Sequence, residues 1–174
     1  GKPIGSRDPL HPNDHVNMGQ SSNDTFPTAM HIAAAVAIEK GLKPALQRMH
    51  KSLSKQASDW DSIIKIGRTH LMDATPIRVG QVFSGYASQA EHAIERADRA
   101  LQTLGELAIG GTAVGTGINT HVEFGRRVAE ELTRQTSVSF REARNHPEAQ
   151  AAKDACVETS GHLKAVAVSL SKIA

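Results

Sequence analysis

The distribution of apolar and polar positions divides the chain into a polar opening and a long helical remainder. Residues Gly1 to Gln20 mix Gly, Pro, Asp, Asn and His without an apolar period, a composition that favours turns over regular elements. From Asp24 the spacing turns helical. Ala29, Ile32, Ala33 and Val36 make a predicted inner stripe, Asp24 is placed to cap the helix, and Pro27 falls in its expected first turn. Gly41 and Pro44 predict a break before a second helix carrying Leu46, Met49, Leu53 and Trp60. Ile63 to Arg78 reads as a short connector. The plan is therefore an irregular substrate-site loop region over 1–23 and a partial helical-bundle domain over 24–174.

The third helix has the clearest pattern: Phe83, Ala87, Ala90, Ile94, Ala97, Leu101, Leu104 and Ala108 alternate steps of four and three. That is the seam of helices that pack in long bundles. The last segment repeats it with Ala152, Cys156, Thr159, Leu163, Val166, Leu170 and Ile173. Between the two seams, Gly110 to Gly117 must be a loop and Phe124 to Leu132 a shorter helix. Two such seams need partner helices, so further helices or further copies are expected to cover them. The final pattern runs to Ala174 without a stop signal, and the chain opens without methionine. A fragment of a larger helical subunit is expected.

Composition sharpens this. Hydrophobic residues make up 39% but aromatics only 3%, with alanine throughout, which suits close-packed helices and predicts an all-α, long-helix bundle. The 20 basic and 18 acidic residues are interspersed, leaving no basic stripe for nucleic acid. No apolar run approaches the ~20 residues of a membrane span, and no signal segment opens the chain. The single cysteine, Cys156, cannot pair internally and lies in the apolar pattern, so a reduced compartment and a core position are expected.

Three polar clusters interrupt the helical plan. Ser21, Ser22, Asn23 and Asp24 read as a helix cap or, by the same geometry, as neutral donors for a carboxylate at a positive helix end. Gly67, Arg68, Thr69 and His70 place a histidine, able to exchange a proton near neutral pH, next to a hydroxyl; Arg68 reads as a substrate cation or a structural ion-pair partner, and the sequence favours the structural role. His11, Pro12, Asn13, Asp14 and His15 offer metal-like spacing only on a helix, and Pro12 with its turn-forming neighbours argues against a metal. The glycine loop lacks the Gly-Lys-Ser/Thr ending of a phosphate loop, so it reads as a flexible connection or as a wall of a site.

Taken in order, HPNDHVN at 11–17, QSSND at 20–24, KIGRTHLMDATP at 65–76 and GGTAVGTGINTH at 110–121 resemble the fumarase and aspartase superfamily, and class II fumarases within it. Aspartases usually carry glutamine at the position of His70 and threonine at that of Ser22, so the resemblance favours fumarase over an aspartate ammonia-lyase or another lyase of the superfamily. Retained Thr69 and His70 argue against a non-catalytic helical scaffold.

The resemblance implies a mostly helical subunit of a homotetramer with composite active sites. The implied reaction is reversible, stereospecific hydration of fumarate to L-malate in the tricarboxylic acid cycle, without metal or organic cofactor. It assigns dicarboxylate binding to Ser21, Ser22, Asn23 and Thr69, proton handling to His70, and a second, non-catalytic dicarboxylate site to His11, Pro12, Asn13 and Asp14. It implies a cytoplasmic location, or a mitochondrial one in a eukaryote. The family's catalytic serine loop, with its lysine and asparagine, and the carboxylate that pairs with the histidine would lie past Ala174, so the 174-residue segment alone is expected to be inactive. Met72 stands where fumarases often have glutamine.

Overall fold

The computed structural model describes all residues from 1 to 174. Six helices carry the chain: α1 Ser22–Ala37, α2 Lys43–Asp59, α3 Val79–Leu104, α4 Phe124–Thr136, α5 His146–Ala151 and α6 Asp154–Ile173. Four short strands accompany them: β1 Ile64–Thr69, β2 Met72–Arg78, β3 Glu106–Leu107 and β4 Arg141–Glu142. The expected all-α class holds, and no helix is long and apolar enough to cross a membrane. Contacts divide the chain into two compact units, one of residues 1–36 and 101–158, the other of 37–100 and 159–174.

In the first unit the core gathers Leu104, Leu107, Ala108, Ile109, Ala129, Val138, Phe140 and Ala143, all buried. β3 and β4 pair in parallel, Glu106 with Arg141 and Leu107 with Glu142, which fixes the segment after α3 beside the segment after α4. The buried face of α1 is not the predicted one. Ala29 and Ala33 are exposed, Ile32 and Val36 half-buried, and the covered line is Asp24, Thr28, His31 and Ala35. Asp24 and His31 take the inner face because backbone groups of later loops meet them there: the His31 Nδ1 lies 2.8 Å from the Glu106 carbonyl, and Asp24 accepts the N–H groups of Gly110 and Thr112. Apolar periodicity alone points to the wrong side of such a helix.

The helix also starts earlier than its pattern indicates. Ser21 holds the cap, its Oγ accepting from the Asn23 N–H at 3.2 Å, and Asp24 lies three residues further on. Pro27 therefore falls in the second turn, where its missing N–H leaves the Asn23 carbonyl without an intrahelical donor.

The second unit packs Leu53, Ala87 and Ala90 with Met49, Phe83, Tyr86 and Ile173. Trp60, Phe83 and Tyr86 form two successive edge-to-face pairs, with centroids 4.7 and 5.5 Å apart, each adding roughly 0.5–1.5 kcal/mol beyond area burial. Leu46 and Leu53 are buried as the α2 pattern predicts. The expected break at Gly41 is instead a π-helical turn, Ile38–Leu42, in which the Lys43 N–H reaches the Ile38 carbonyl and helical backbone continues into α2. Pro44 is tolerated because it occupies the opening turn of α2.

Along α3, Ala87, Ala90, Ala93, Ala97, Ala100 and Leu104 are buried, while Ile94 and Leu101 of the predicted seam are half-buried. The covered stripe is thus made of alanines, displaced by one position where the larger residues sit. The helix ends at Leu104, and Ala108 lies beyond it. On α6, Thr159 and Val166 are buried, Leu163 is 38% exposed, and Cys156 is half-buried rather than enclosed in the core. The connector Ile63 to Arg78 is an antiparallel hairpin of β1 and β2, from Ile64↔Arg78 to Thr69↔Met72. Its strands lie almost wholly exposed, so they lack the buried face that makes a strand visible as alternation.

Candidate active site

Ser21, Ser22 and Asn23 come together at the start of α1, in the first unit. Asp24 Oδ1 accepts the Ser21 N–H at 2.9 Å while Ser21 Oγ accepts from Asn23, a reciprocal cap of the kind that a Ser-x-x-acid spacing encodes. The Thr25 hydroxyl closes on the Ser21 carbonyl at 2.8 Å. What remains outward is the exposed pair Ser22 and Asn23 at the positive end of the helix. Asn23 Nδ2 donates to the Ala113 carbonyl at 2.7 Å, which ties the amide to the glycine loop. A cavity of about 400 Å³ opens there, lined by Ser22, Asn23, Phe26, Pro27, Ala113, Val114, Pro147, Gln150, Ala151 and Lys153. The Lys153 ammonium donates to the Gln150 and Ala152 carbonyls at 2.6 and 3.0 Å, closing the end of α5 and adding positive charge to the rim. Neutral donors, a helix N-terminus and one cation suit a small dicarboxylate.

The glycine loop is not free. Asp24 is fully buried, and its second oxygen accepts the Gly110 N–H at 3.2 Å and the Thr112 N–H at 2.8 Å. Gln150 Nε2 donates to the Thr112 carbonyl from α5. Gly110 adopts φ +100°, and a Cβ there would come within 2.9 Å of Gly125 Cα, so both its conformation and the approach of α4 demand glycine. His146 Nε2 lies 3.2 Å from the Ile109 carbonyl and 3.3 Å from Glu142 Oε1, pinning the loop base to α5. Nearby, the backbone N–H of Arg144 at 2.9 Å from Glu106 Oε1 holds that carboxyl below the usual range, aided by the charges of Arg141 and Arg144 and opposed by burial.

Thr69 and His70 lie in the second unit, at the hairpin tip. Thr69 pairs with Met72, so His70 and Leu71 form a two-residue turn with φ +53° and +60°. Such turns require positive φ at both central positions and favour Asn-Gly; here two side-chain-bearing residues hold it, at a cost of order 1–3 kcal/mol each. Arg68 braces the turn: Nη2 donates to the Leu71 carbonyl at 3.2 Å and Nη1 to Asp73 Oδ1 at 3.1 Å, the structural part its sequence position predicts. The imidazole of His70 stands exposed.

His11, Pro12, Asn13 and Asp14 form one π-helical turn, Pro12–Val16, in the first unit, with Pro12 at its opening and the Asn17 N–H returning to the Pro12 carbonyl at 2.8 Å. His11 caps it, Nδ1 accepting the Asp14 N–H at 3.1 Å. The same nitrogen lies 3.2 Å from Asp14 Oδ2, but it cannot accept from the amide and donate to the carboxylate at once. We assign the accepting role, because the backbone fixes that hydrogen. His15 Nδ1 likewise accepts the His11 N–H at 2.8 Å, so both rings are engaged as backbone acceptors, and nowhere in the chain do three His, Cys, Asp or Glu side chains converge as a metal site would require.

Sequence reasoning placed Ser21 to Asn23 at a helix start but missed the long-range role of Asp24. The signal within reach was the capping-box spacing from Ser21; the contact with residues 110 and 112 had none.

Residues 2–174 match the family described as lyase. The chain is 59% identical over 166 residues to the fumarate hydratase class II of Corynebacterium glutamicum, covering 95% of this chain and 35% of that one. It is 55% identical over 174 residues to the fumarate hydratase class II of Caulobacter vibrioides, covering 100% of this chain and 38% of that one. The crystal structure of a recombinant class II fumarase from Schistosoma mansoni superposes with a TM-score of 0.89 at 37% identity, over 97% of this chain and 39% of that chain. The chain spans a little over a third of the length of the curated relatives it matches, 35% and 38% in these two cases.

Proposed function

Since the chain belongs to the lyase family, matching it over residues 2–174, we propose that the protein is a class II fumarate hydratase, interconverting fumarate and L-malate by reversible addition of water. The observation that carries this reading is the start of α1, where Ser22 and Asn23 line a cavity with neutral donors at a positive helix end and Ser21 caps the helix behind them. Asp24 does not line that cavity, and its oxygens accept three backbone N–H groups instead. In dehydration a carbon next to a carboxylate loses its proton, and the electron pair moves onto that carboxylate. Donors fixed beforehand hold this extra charge without reorganising. The hydroxyl must leave with a proton, which His70 delivers; in hydration the same imidazole takes the proton from water. Thr69 adds a hydroxyl to the substrate contacts. The chemistry needs neither a metal nor an organic cofactor.

In this reading the protein is a homotetramer with composite active sites. Exposed apolar side chains support assembly: Phe26 at 67%, Val157 at 69% and Val168 at 63% lie on helices, where an uncovered apolar face calls for a partner. The His11 to Asp14 turn serves as the second, non-catalytic dicarboxylate site. We place the protein in the cytoplasm.

The test is to purify the gene product carrying this sequence, supply fumarate, and assay L-malate. Malate of a single configuration, formed by a particle of tetramer mass in light scattering, is the expected result. Ammonia release from aspartate without any fumarate hydration would overturn the assignment.

A further inference from the structure

We propose that Asp24 is a positioning residue: its buried carboxylate locks the glycine loop to the start of α1 and thereby sets the affinity of the Ser21 to Asn23 donors for a dicarboxylate. This rests on the reading of that helix start as a carboxylate site.

A helix cap alone does not explain this residue. One oxygen facing the Ser21 N–H completes the cap, and an exposed acid would serve. Asp24 is instead 0% exposed, and its other oxygen is given to N–H groups 86 and 88 residues away. Gly110 and Thr112 are themselves buried, so without the carboxylate their N–H groups would lose their partner away from water. Thr112 is further held at φ +57°, a conformation that a side-chain-bearing residue keeps only when its surroundings enforce it. The next residue, Ala113, offers the carbonyl that orients the Asn23 amide at 2.7 Å. The causal chain runs from Asp24 to the loop backbone, from the loop to Asn23, and from Asn23 to the ligand. Asp24 itself does not line the cavity, so it acts through these groups.

The test uses the gene product with three probes: succinate, a dicarboxylate that cannot be hydrated, measured by calorimetry; fumarate turnover; and amide exchange at Gly110 and Thr112. Asp24→Asn keeps the volume but turns an NH₂ toward an N–H. It is expected to weaken succinate binding by about tenfold or more, to raise the fumarate KM similarly with kcat within about threefold, and to speed exchange of both amides by about tenfold. Ala35→Gly, which weakens the same buried face of α1 far from the loop, controls for stability and should move none of these. Should Asp24→Asn fail to fold, the unsubstituted protein decides: succinate at saturation should slow exchange at Gly110 and Thr112, because coupling between loop and ligand is reciprocal. Unchanged succinate affinity and unchanged exchange in Asp24→Asn, or a loop whose exchange ignores succinate, would overturn the proposal. Succinate binding without fumarate turnover would sink the hydratase reading while leaving Asp24 to be judged on affinity and exchange. If no dicarboxylate binds, both readings fall.

Discussion

The start of α1 and the tip of the β1–β2 hairpin carry the two halves of the proposed chemistry, and they are built in opposite ways. At α1 the cap is closed within three residues, and the surrounding donors are then fastened by contacts 86 to 90 residues distant in sequence. At the hairpin the bonds that hold the turn are local: Arg68 reaches Leu71 and Asp73, three and five residues away, and His70 projects into solvent from a left-handed backbone. Donors that must hold a charge without moving need anchors in the core, since a group fixed only by its neighbours relaxes with them. A proton carrier needs only to be presented at the right angle, and a two-residue turn does that with backbone geometry.

Four substitutions probe this contrast. The largest effect is expected from His70→Asn in the gene product, a loss of about 10²–10⁴ in kcat/KM, the usual worth of a positioned acid-base group, with assembly intact. His11→Asn should change kcat/KM by less than about tenfold, because His11 caps its own turn. Steady-state rates on both variants, after circular dichroism and size analysis, check the pair. A crippled His11 variant beside a near-normal His70 variant would reverse the assignment.

A smaller effect tests the local strain. Leu71 is 94% exposed, so Leu71→Gly gives up no packing while removing the cost of positive φ. Offset by the greater freedom of glycine in the unfolded chain, the net gain should be about 0.5–1 kcal/mol, read as slower amide exchange across the hairpin. Faster exchange would mean that the turn is not strained and that the contrast fails there.

The smallest effect concerns the anchored side. The carboxyl of Glu106 is held below its usual range chiefly by the Arg144 N–H. Its folded pKa therefore lies below the unfolded value of about 4.3, and the linked stability is fully present above that pH and is lost as pH falls through the folded value. Glu106→Gln should flatten the stability curve in that acid window, by less than about 1 kcal/mol for a group with 22% of its side chain exposed. An unchanged slope in urea titrations between pH 5 and pH 3 (roughly the interval spanned by ordinary carboxylates) would remove Glu106 from the anchoring network.

Local information sufficed wherever one stretch of chain decides its own conformation. The helical class, the burial of Leu46 and Leu53 on α2 and the grouping of Ser21, Ser22 and Asn23 all follow from residues within a few positions of one another, whereas the stretch before Gln20, read as irregular, holds the π-helical turn Pro12–Val16. The matching motif strings did the rest for the family. Where partners come from afar, the sequence was silent or misleading. The polar inner face of α1 is set by the loop after α3, the hairpin by cross-strand bonds without a buried stripe, and the burial of Ala87 and Ala90 on α3 by packing with Leu53 and Ile173 from distant parts of the chain. Asp24 is the sharpest case. Its spacing from Ser21 encodes a cap, but only folding brings Gly110 and Thr112 to its second oxygen, because a hydrogen bond between residues 86 and 88 positions apart leaves no period along the chain.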